Sequence, residues 1–182
     1  HQIMGGWLDK ADGVVFENWK IGEFKNVGTS VFGQDFGFSV DPTTLVETSI
    51  DSKNKCIYLK LHYYKPNLTT TQIAELNNRI AKDSLIVADS AEPRLIAELQ
   101  KMGNKVIPTR KGAGSIAAGI ALMQDYEIVV DPDSINIIKE LNNYVYSDRG
   151  SKLYVDNHNH LIDAIRYNVS FHLGGGGKAD VR

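Results

Sequence analysis

The chain has 182 residues, 42% hydrophobic and 23% charged, a composition that fits one soluble globular domain and excludes global disorder. Its net charge of −2 and pI near 6.2 supply no overall basic field, so a nucleic-acid partner has to be held by a local patch. Cys56 stands alone, which excludes an intrachain disulfide and a zinc ribbon, and no run of about 18 apolar residues indicates a membrane span.

The start His1-Gln2-Ile3-Met4-Gly5-Gly6 has neither the charged nor the apolar segment of a signal peptide, so a soluble protein in a reducing, cytosolic setting is expected. A first residue other than Met fits a piece excised from a longer chain. Residues 5–27 mix Gly, Trp, Phe and charge without a period and read as an irregular lead-in or linker whose Trp7, Phe16 and Trp19 pack on a neighbour. Residues 31–38, 44–50 and 55–64 are rich in β-branched and aromatic side chains, with Asp41-Pro42 and Asp51-Ser52-Lys53-Asn54 between them. They predict a three-stranded antiparallel meander.

The period then changes. Thr69-Thr70-Thr71 offers N-cap hydroxyls to a helix bearing Ile73, Leu76 and Ile80, and residues 84–88 form a short apolar strand ending at Asp89. Ser90 is the expected cap of a second helix, with Pro93 in its first turn and Gly103 as its stop. A strand over 105–108, a loop with Arg110, Lys111, Gly112 and Gly114, a helix over 115–124 and a strand over 127–130 follow. Asp131-Pro132 opens a helix with Ile135, Ile138 and Leu141; residues 144–146 and 153–155 read as a hairpin around Asp148-Arg149-Gly150. The last predicted helix runs from 157 to 172 with Asp156 as its cap. The expected organisation is a lead-in over 1–27, one α/β domain over 28–173 and a flexible tail over 174–182. Its fold class is a mixed sheet, three antiparallel strands and then parallel strands, with helices on both faces.

Three carboxylates occupy positions where a structural role is hard to supply. Strand alternation puts Asp35 on one face with Val31, Gly33 and Gly37, where the glycines leave room for an approaching group. Asp89 leaves the carboxyl end of a strand apolar enough to be central, the edge at which open α/β sheets bind ligands. In the last helix His160, Asp163 and Arg166 follow one another three residues apart on one face, while Leu161, Ile165 and Val169 mark the apolar stripe. If the strand ending at Asp89 lies parallel beside that of Asp35, a helix on the same edge brings Asp163 against both. Like charges so close require protons or cations, and oxygen donors with one optional His suit Mg²⁺ or Mn²⁺. The bland readings are a turn-bonded Asp35, a helix-capping Asp89 and a solvated Asp163–Arg166 pair.

Gly33-Gln34-Asp35-Phe36-Gly37 with Asp41-Pro42, Ala88-Asp89-Ser90-Ala91-Glu92-Pro93, Lys111-Gly112 with Ser115-Ile116 and Gly119-Ile120, and His158-Asn159-His160 with Asp163-Ala164-Ile165-Arg166-Tyr167 together resemble the C-terminal nuclease domain of tailed-phage terminase large subunits. The resemblance spans residues 5–172 and implies a ribonuclease H-like fold and endonucleolytic cutting of concatemeric viral DNA during packaging. By it Asp35, Asp89 and Asp163 are metal ligands and His160 an auxiliary group, either a water-orienting one or a hydrogen-bond partner of Asp163. Two cations about 4 Å apart would flank the scissile phosphate. It also implies double-stranded DNA, a packaging ATPase domain of the same full-length chain, a small terminase subunit and a portal protein as partners, in the host bacterial cytoplasm. No Walker loop is present, so this chain corresponds to the nuclease part only. Lys105, Arg110, Lys111, Arg149 and Lys152 are placed to track a DNA backbone.

Three rival readings stay open. Asp35-Phe36-Gly37 is also similar to the phosphate-binding strand of actin and sugar-kinase ATPases, although that fold repeats its hairpin in a second domain. A non-catalytic interaction domain of the packaging motor and another ribonuclease H-like nuclease, such as a Holliday-junction resolvase, are the others.

Overall fold

The computed structural model describes residues 12–147 and 159–174. Its strands are β1 (Trp19–Ile21), β2 (Val31–Asp35), β3 (Pro42–Asp51), β4 (Cys56–Pro66), β5 (Ile86–Ala88), β6 (Val106–Pro108) and β7 (Glu127–Val130), and its helices are α1 (Thr70–Ile80), α2 (Pro93–Lys101), α3 (Ser115–Gln124), α4 (Ile135–Asn143) and α5 (His160–Leu173). The strands form one seven-stranded sheet in the order β1-β7-β4-β3-β2-β5-β6. β2, β3 and β4 pair antiparallel as the meander predicts, and β5, β6, β7 and β1 extend the sheet by parallel pairing on its two sides. The mixed sheet expected from the alternating helix and strand pattern is therefore the fold.

Alternation divides the core. Phe32, Leu45, Tyr63, Ile86 and Val106 point to one face and pack with Ile73 of α1 and Leu99 of α2. Val46, Leu59, Ile128 and Val130 point to the other and pack with Ile120, Ile137, Leu141, Leu161 and Ile165 of α3, α4 and α5. Gly33 lies beneath α5, where a Cβ would stand 1.9 Å from the Ala164 carbonyl oxygen, so only glycine lets that helix seat this closely on the sheet.

Several expectations are corrected. Part of the segment read as a linker belongs to the fold: β1 pairs parallel with β7, and Phe16 is fully buried and stacks on Tyr144 at 5.9 Å. The apolar pieces of this segment are too short to show a period, because one edge strand of three residues and one core aromatic carry them. Val145 bridges Val14, so the 144–146 half of the expected hairpin meets the lead-in, while 148–158 lies outside the described residues. α2 is preceded by Glu92 rather than capped by Ser90, because Asp89 takes the Ala91 N–H at 3.0 Å and shapes the turn itself. α5 begins at His160 with Asn159 before it, three residues later than the start read from the sequence. The capping residues of α1 are as read: Thr69 Oγ1 accepts the Gln72 N–H at 3.1 Å, and Gln72 Oε1 accepts the Thr69 N–H at 2.9 Å.

Candidate active site

The parallel register of β2 and β5 sets Gly33 opposite Val87 and Gln34 opposite Ala88, so Asp35 and Asp89 leave adjacent strand ends side by side. α5 crosses the same edge and presents Asp163. All three carboxylates line one cleft of about 740 Å³, together with Lys111, Tyr144, Asn159, Arg166 and Tyr167. The three acids singled out from the sequence thus line the same cleft, because the strands are parallel and Gly33 admits the helix.

Each carboxylate meets a positive group or a donor. Asp35, 7% exposed, lies 3.1 Å from His160 Nδ1 through Oδ2, and its backbone N–H donates to Thr44 Oγ1 at 3.3 Å. Burial pushes its carboxyl above the ordinary aspartate range and outweighs the opposing pull of His160; the nearby Asp89 adds to the rise. His160 is raised above the ordinary histidine value, first by its bond to Asp35, with Asp41, 3.8 Å from Nε2, among the carboxylates that add to the effect. Asp89 Oδ1 receives Lys111 Nζ at 2.7 Å, and Asp163 Oδ1 receives Arg166 Nη2 at 3.3 Å and Asn159 Nδ2 at 3.2 Å. Tyr167, buried among them, has its phenol pushed up by desolvation and then by Asp163, Asp35 and Asp89. One ring therefore senses all three carboxylates.

Two expectations about this helix change. His160 turns to Asp35, not along the helix to Asp163, because the first turn of α5 overlies the end of β2. The Asp163–Arg166 pair is not a solvated surface pair: the arginine side chain is only 11% exposed and lines the cleft. Among the expected DNA-contacting residues, Lys111 is in the cleft and Arg110 borders an adjoining pocket of about 250 Å³ with Thr109, Ser115 and Ser170. Lys105 stands at the amino end of β6, the edge opposite the cleft, since the strand that follows runs its whole length towards the site. Arg149, Lys152 and Asp156 lie outside the described residues.

As the side chains stand, no group of three His, Cys, Asp or Glu among the described residues converges closely enough to hold one ion, because the cleft's acids are turned to Lys111, Arg166 and His160. The donor set nevertheless fits Mg²⁺ or Mn²⁺ in kind: three hard carboxylates of one sign at one cleft, with cationic partners that a divalent ion can replace.

Sequence reading included Asp41 and Asn159 within motifs without foreseeing their contacts with His160 and Asp163, and it missed Glu140 of α4, whose side chain takes the first amides of α5. Glu140 belongs to no motif. Its only sequence signal is an acid set next to Leu141 and close to Ile137 and Ile138 of a core-facing helix.

Comparison with known proteins agrees with this fold. A family model described as a terminase RNAseH like domain matches residues 35–170. The PBSX phage terminase large subunit of Bacillus subtilis (strain 168) is 30% identical over 141 residues, covering 74% of this chain; the chain spans 33% of that relative's length. The nuclease domain of the bacteriophage SPP1 large terminase, solved with bound Mn, has a TM-score of 0.76 and 29% identity, covering 88% of this chain and 99% of that one. The P22 large terminase nuclease domain has a TM-score of 0.70 at 16% identity, covering 90% and 94%, and agrees in fold. The large terminase nuclease of thermophilic phage G20c, solved with bound magnesium, has a TM-score of 0.62 at 21% identity, covering 88% and 98%.

Proposed function

The chain belongs to the family of terminase ribonuclease H-like domains, and on that premise we propose that it is a metal-dependent DNA endonuclease that cuts concatemeric viral DNA during genome packaging. The observation that supports the reading best is the meeting of Asp35, Asp89 and Asp163 at one cleft on the carboxyl edge of the sheet. In this reading the three carboxylates hold the divalent cations, two per site. When bound, such cations activate water and stabilise the leaving oxygen of a phosphodiester.

The chain's own groups do the rest. His160 holds Asp35 in one orientation and balances its charge in a buried setting. Asn159 and Arg166 hold Asp163. Lys111, half exposed at the rim and paired with Asp89, would be free to meet a phosphate of a bound duplex if a divalent cation were held by that carboxylate. The buried Tyr144 and Tyr167 form part of the cleft wall. The proposed partners are double-stranded DNA, a packaging ATPase domain in the same full-length chain, a small terminase subunit and a portal protein, and the proposed setting is the host bacterial cytoplasm. The described helices include none long and apolar enough to cross a membrane.

One observation favours a second reading, a non-catalytic interaction domain: Asp35, Asp89 and Asp163 already face His160, Lys111 and Arg166, as in a charge-balanced structural cluster. Thermal melting with Mn²⁺ separates the two. A cation at about a hundred times its dissociation constant adds about 2.7 kcal/mol of stability, several degrees in melting temperature for a domain of this size. The wild-type chain is expected to show this gain, and Asp35→Asn, Asp89→Asn and Asp163→Asn to lose it. A wild-type melt unmoved by Mn²⁺ and by Mg²⁺ contradicts the metal site.

A further inference from the structure

An α-helix leaves its first amides without intrahelical acceptors, and the residue before the helix usually supplies one. At α5 it does not. Asn159 makes no side-chain cap bond, and its Nδ2 donates to Asp163 Oδ1. The acceptor comes from another helix: Glu140 Oε1 takes the Leu161 N–H at 2.9 Å and the Ile162 N–H at 3.1 Å, and Oε2 lies 3.2 Å from the Leu161 nitrogen. These two amides sit between His160, which is bonded to Asp35, and Asp163, which lines the cleft. Glu140 itself is absent from the cleft wall and rests on α4 beside the fully buried Ile137, Ile138 and Leu141.

We propose that Glu140 is a positioning residue of the site: by capping α5 from α4 it fixes the rotation and depth at which His160 and Asp163 meet the ends of β2 and β5. It does not line the cleft and acts through the backbone of Leu161 and Ile162. The inference rests on the metal-dependent reading above. Glu140→Met fills the same volume without an acceptor, and Glu140→Gln restores a carbonyl oxygen. The chain as it stands, each variant and wild type, is titrated with Mn²⁺ alone and then assayed for plasmid nicking over a range of DNA concentrations. Groups that orient metal ligands are worth about 10- to 100-fold in metal affinity or rate. Glu140→Met is therefore expected to fold, to bind Mn²⁺ about 10- to 100-fold more weakly, and to nick with a similarly reduced kcat and a KM for DNA within about twofold of wild type. Glu140→Gln is expected to recover most of the loss. A folded Glu140→Met chain with wild-type Mn²⁺ affinity and kcat overturns the proposal, as does one that fails to fold while Glu140→Gln folds, since Glu140 would then serve folding alone. Wild-type protein that binds Mn²⁺ without nicking defeats the nuclease reading instead, and the Mn²⁺ affinities still decide the role of Glu140.

Discussion

Asp163 and His160 stand one turn apart on α5 and play different parts. Asp163 opens directly on the cleft and holds two donors there. If Asp163 holds a cation as proposed, its removal forfeits several kcal/mol of transition-state stabilisation, and Asp163→Ala is expected to lower the nicking rate by about a thousandfold or more. Circular dichroism of the metal-free variant should match wild type, because Asp163 faces the cleft and not the core, although Arg166 loses its carboxylate partner. Asp133→Ala is the matching control: that exposed residue lies just before α4, outside the cleft, and nicking should be unchanged. In the proposed function His160 acts through Asp35, to which it is bonded. Its replacement by Ala leaves a buried carboxylate with less charge to balance it, and burial already raises that carboxyl. The expected result is a partial loss, about 10- to 100-fold, with the acid limb of the pH–rate profile moved to higher pH. Wild-type activity, or a complete loss in both Mg²⁺ and Mn²⁺ with Asp163 still in place, contradicts this assignment.

At the scale of elements, the close seat of α5 on β2 governs everything at the cleft. A methyl group at Gly33 would meet the Ala164 carbonyl oxygen at 1.9 Å, and backbone cannot step aside as a side chain can. Gly33→Ala is expected to cost at least the 1–3 kcal/mol typical of an overpacked core, read as a lowered melting temperature. Gly119→Ala should be milder, since its nearest contacts are the Arg166 and Ser170 side chains at 2.6 and 2.7 Å.

The junction of α4 with α5 also makes stability depend on pH. Burial pushes the Glu140 carboxyl from 4.5 up to about 8, and His160 is raised above 6.5 by Asp35. Both groups bind protons more tightly folded than unfolded, so their contribution is full below the unfolded values and is lost as pH rises through the folded ones. The metal-free protein should melt several degrees lower at pH 8 than at pH 5.5. Glu140→Gln should flatten that slope. A melting temperature that rises from pH 5.5 to 8 contradicts the assignment.

The same elements mark what sequence could convey. Strands β2 to β5, helix α3 and the order Asp35, Asp89, Asp163 were legible because period, caps and strand ends are local properties. The sheet's outer strand β1, the pairing of Val14 with Val145 and the reach of Glu140 to α5 were not. Each depends on segments more than 20 residues apart, and a three-residue strand or a single buried acid leaves no periodic signal. His160 illustrates the point well: helical spacing correctly put it near Asp163, but the depth of α5 over β2 decided that it bonds Asp35.

Across the whole molecule, charge sets how DNA can be held. The net charge is −2, and among the described residues the cationic side chains of the cleft wall, Lys111 and Arg166, already face Asp89 and Asp163. Binding of DNA should therefore be weak and fall steeply with salt, and nicking should precede double-strand cutting, because each strand needs its own visit to one site. The most direct test is incubation of supercoiled plasmid with the chain and Mn²⁺, with and without EDTA, at two salt concentrations. Conversion to open-circular and then linear DNA that is abolished by EDTA, slowed by salt and absent in Asp163→Ala is the expected result. Plasmid that stays supercoiled at high protein concentration in Mn²⁺, Mg²⁺ and Co²⁺ alike contradicts the nuclease account and leaves the interaction domain as the better reading.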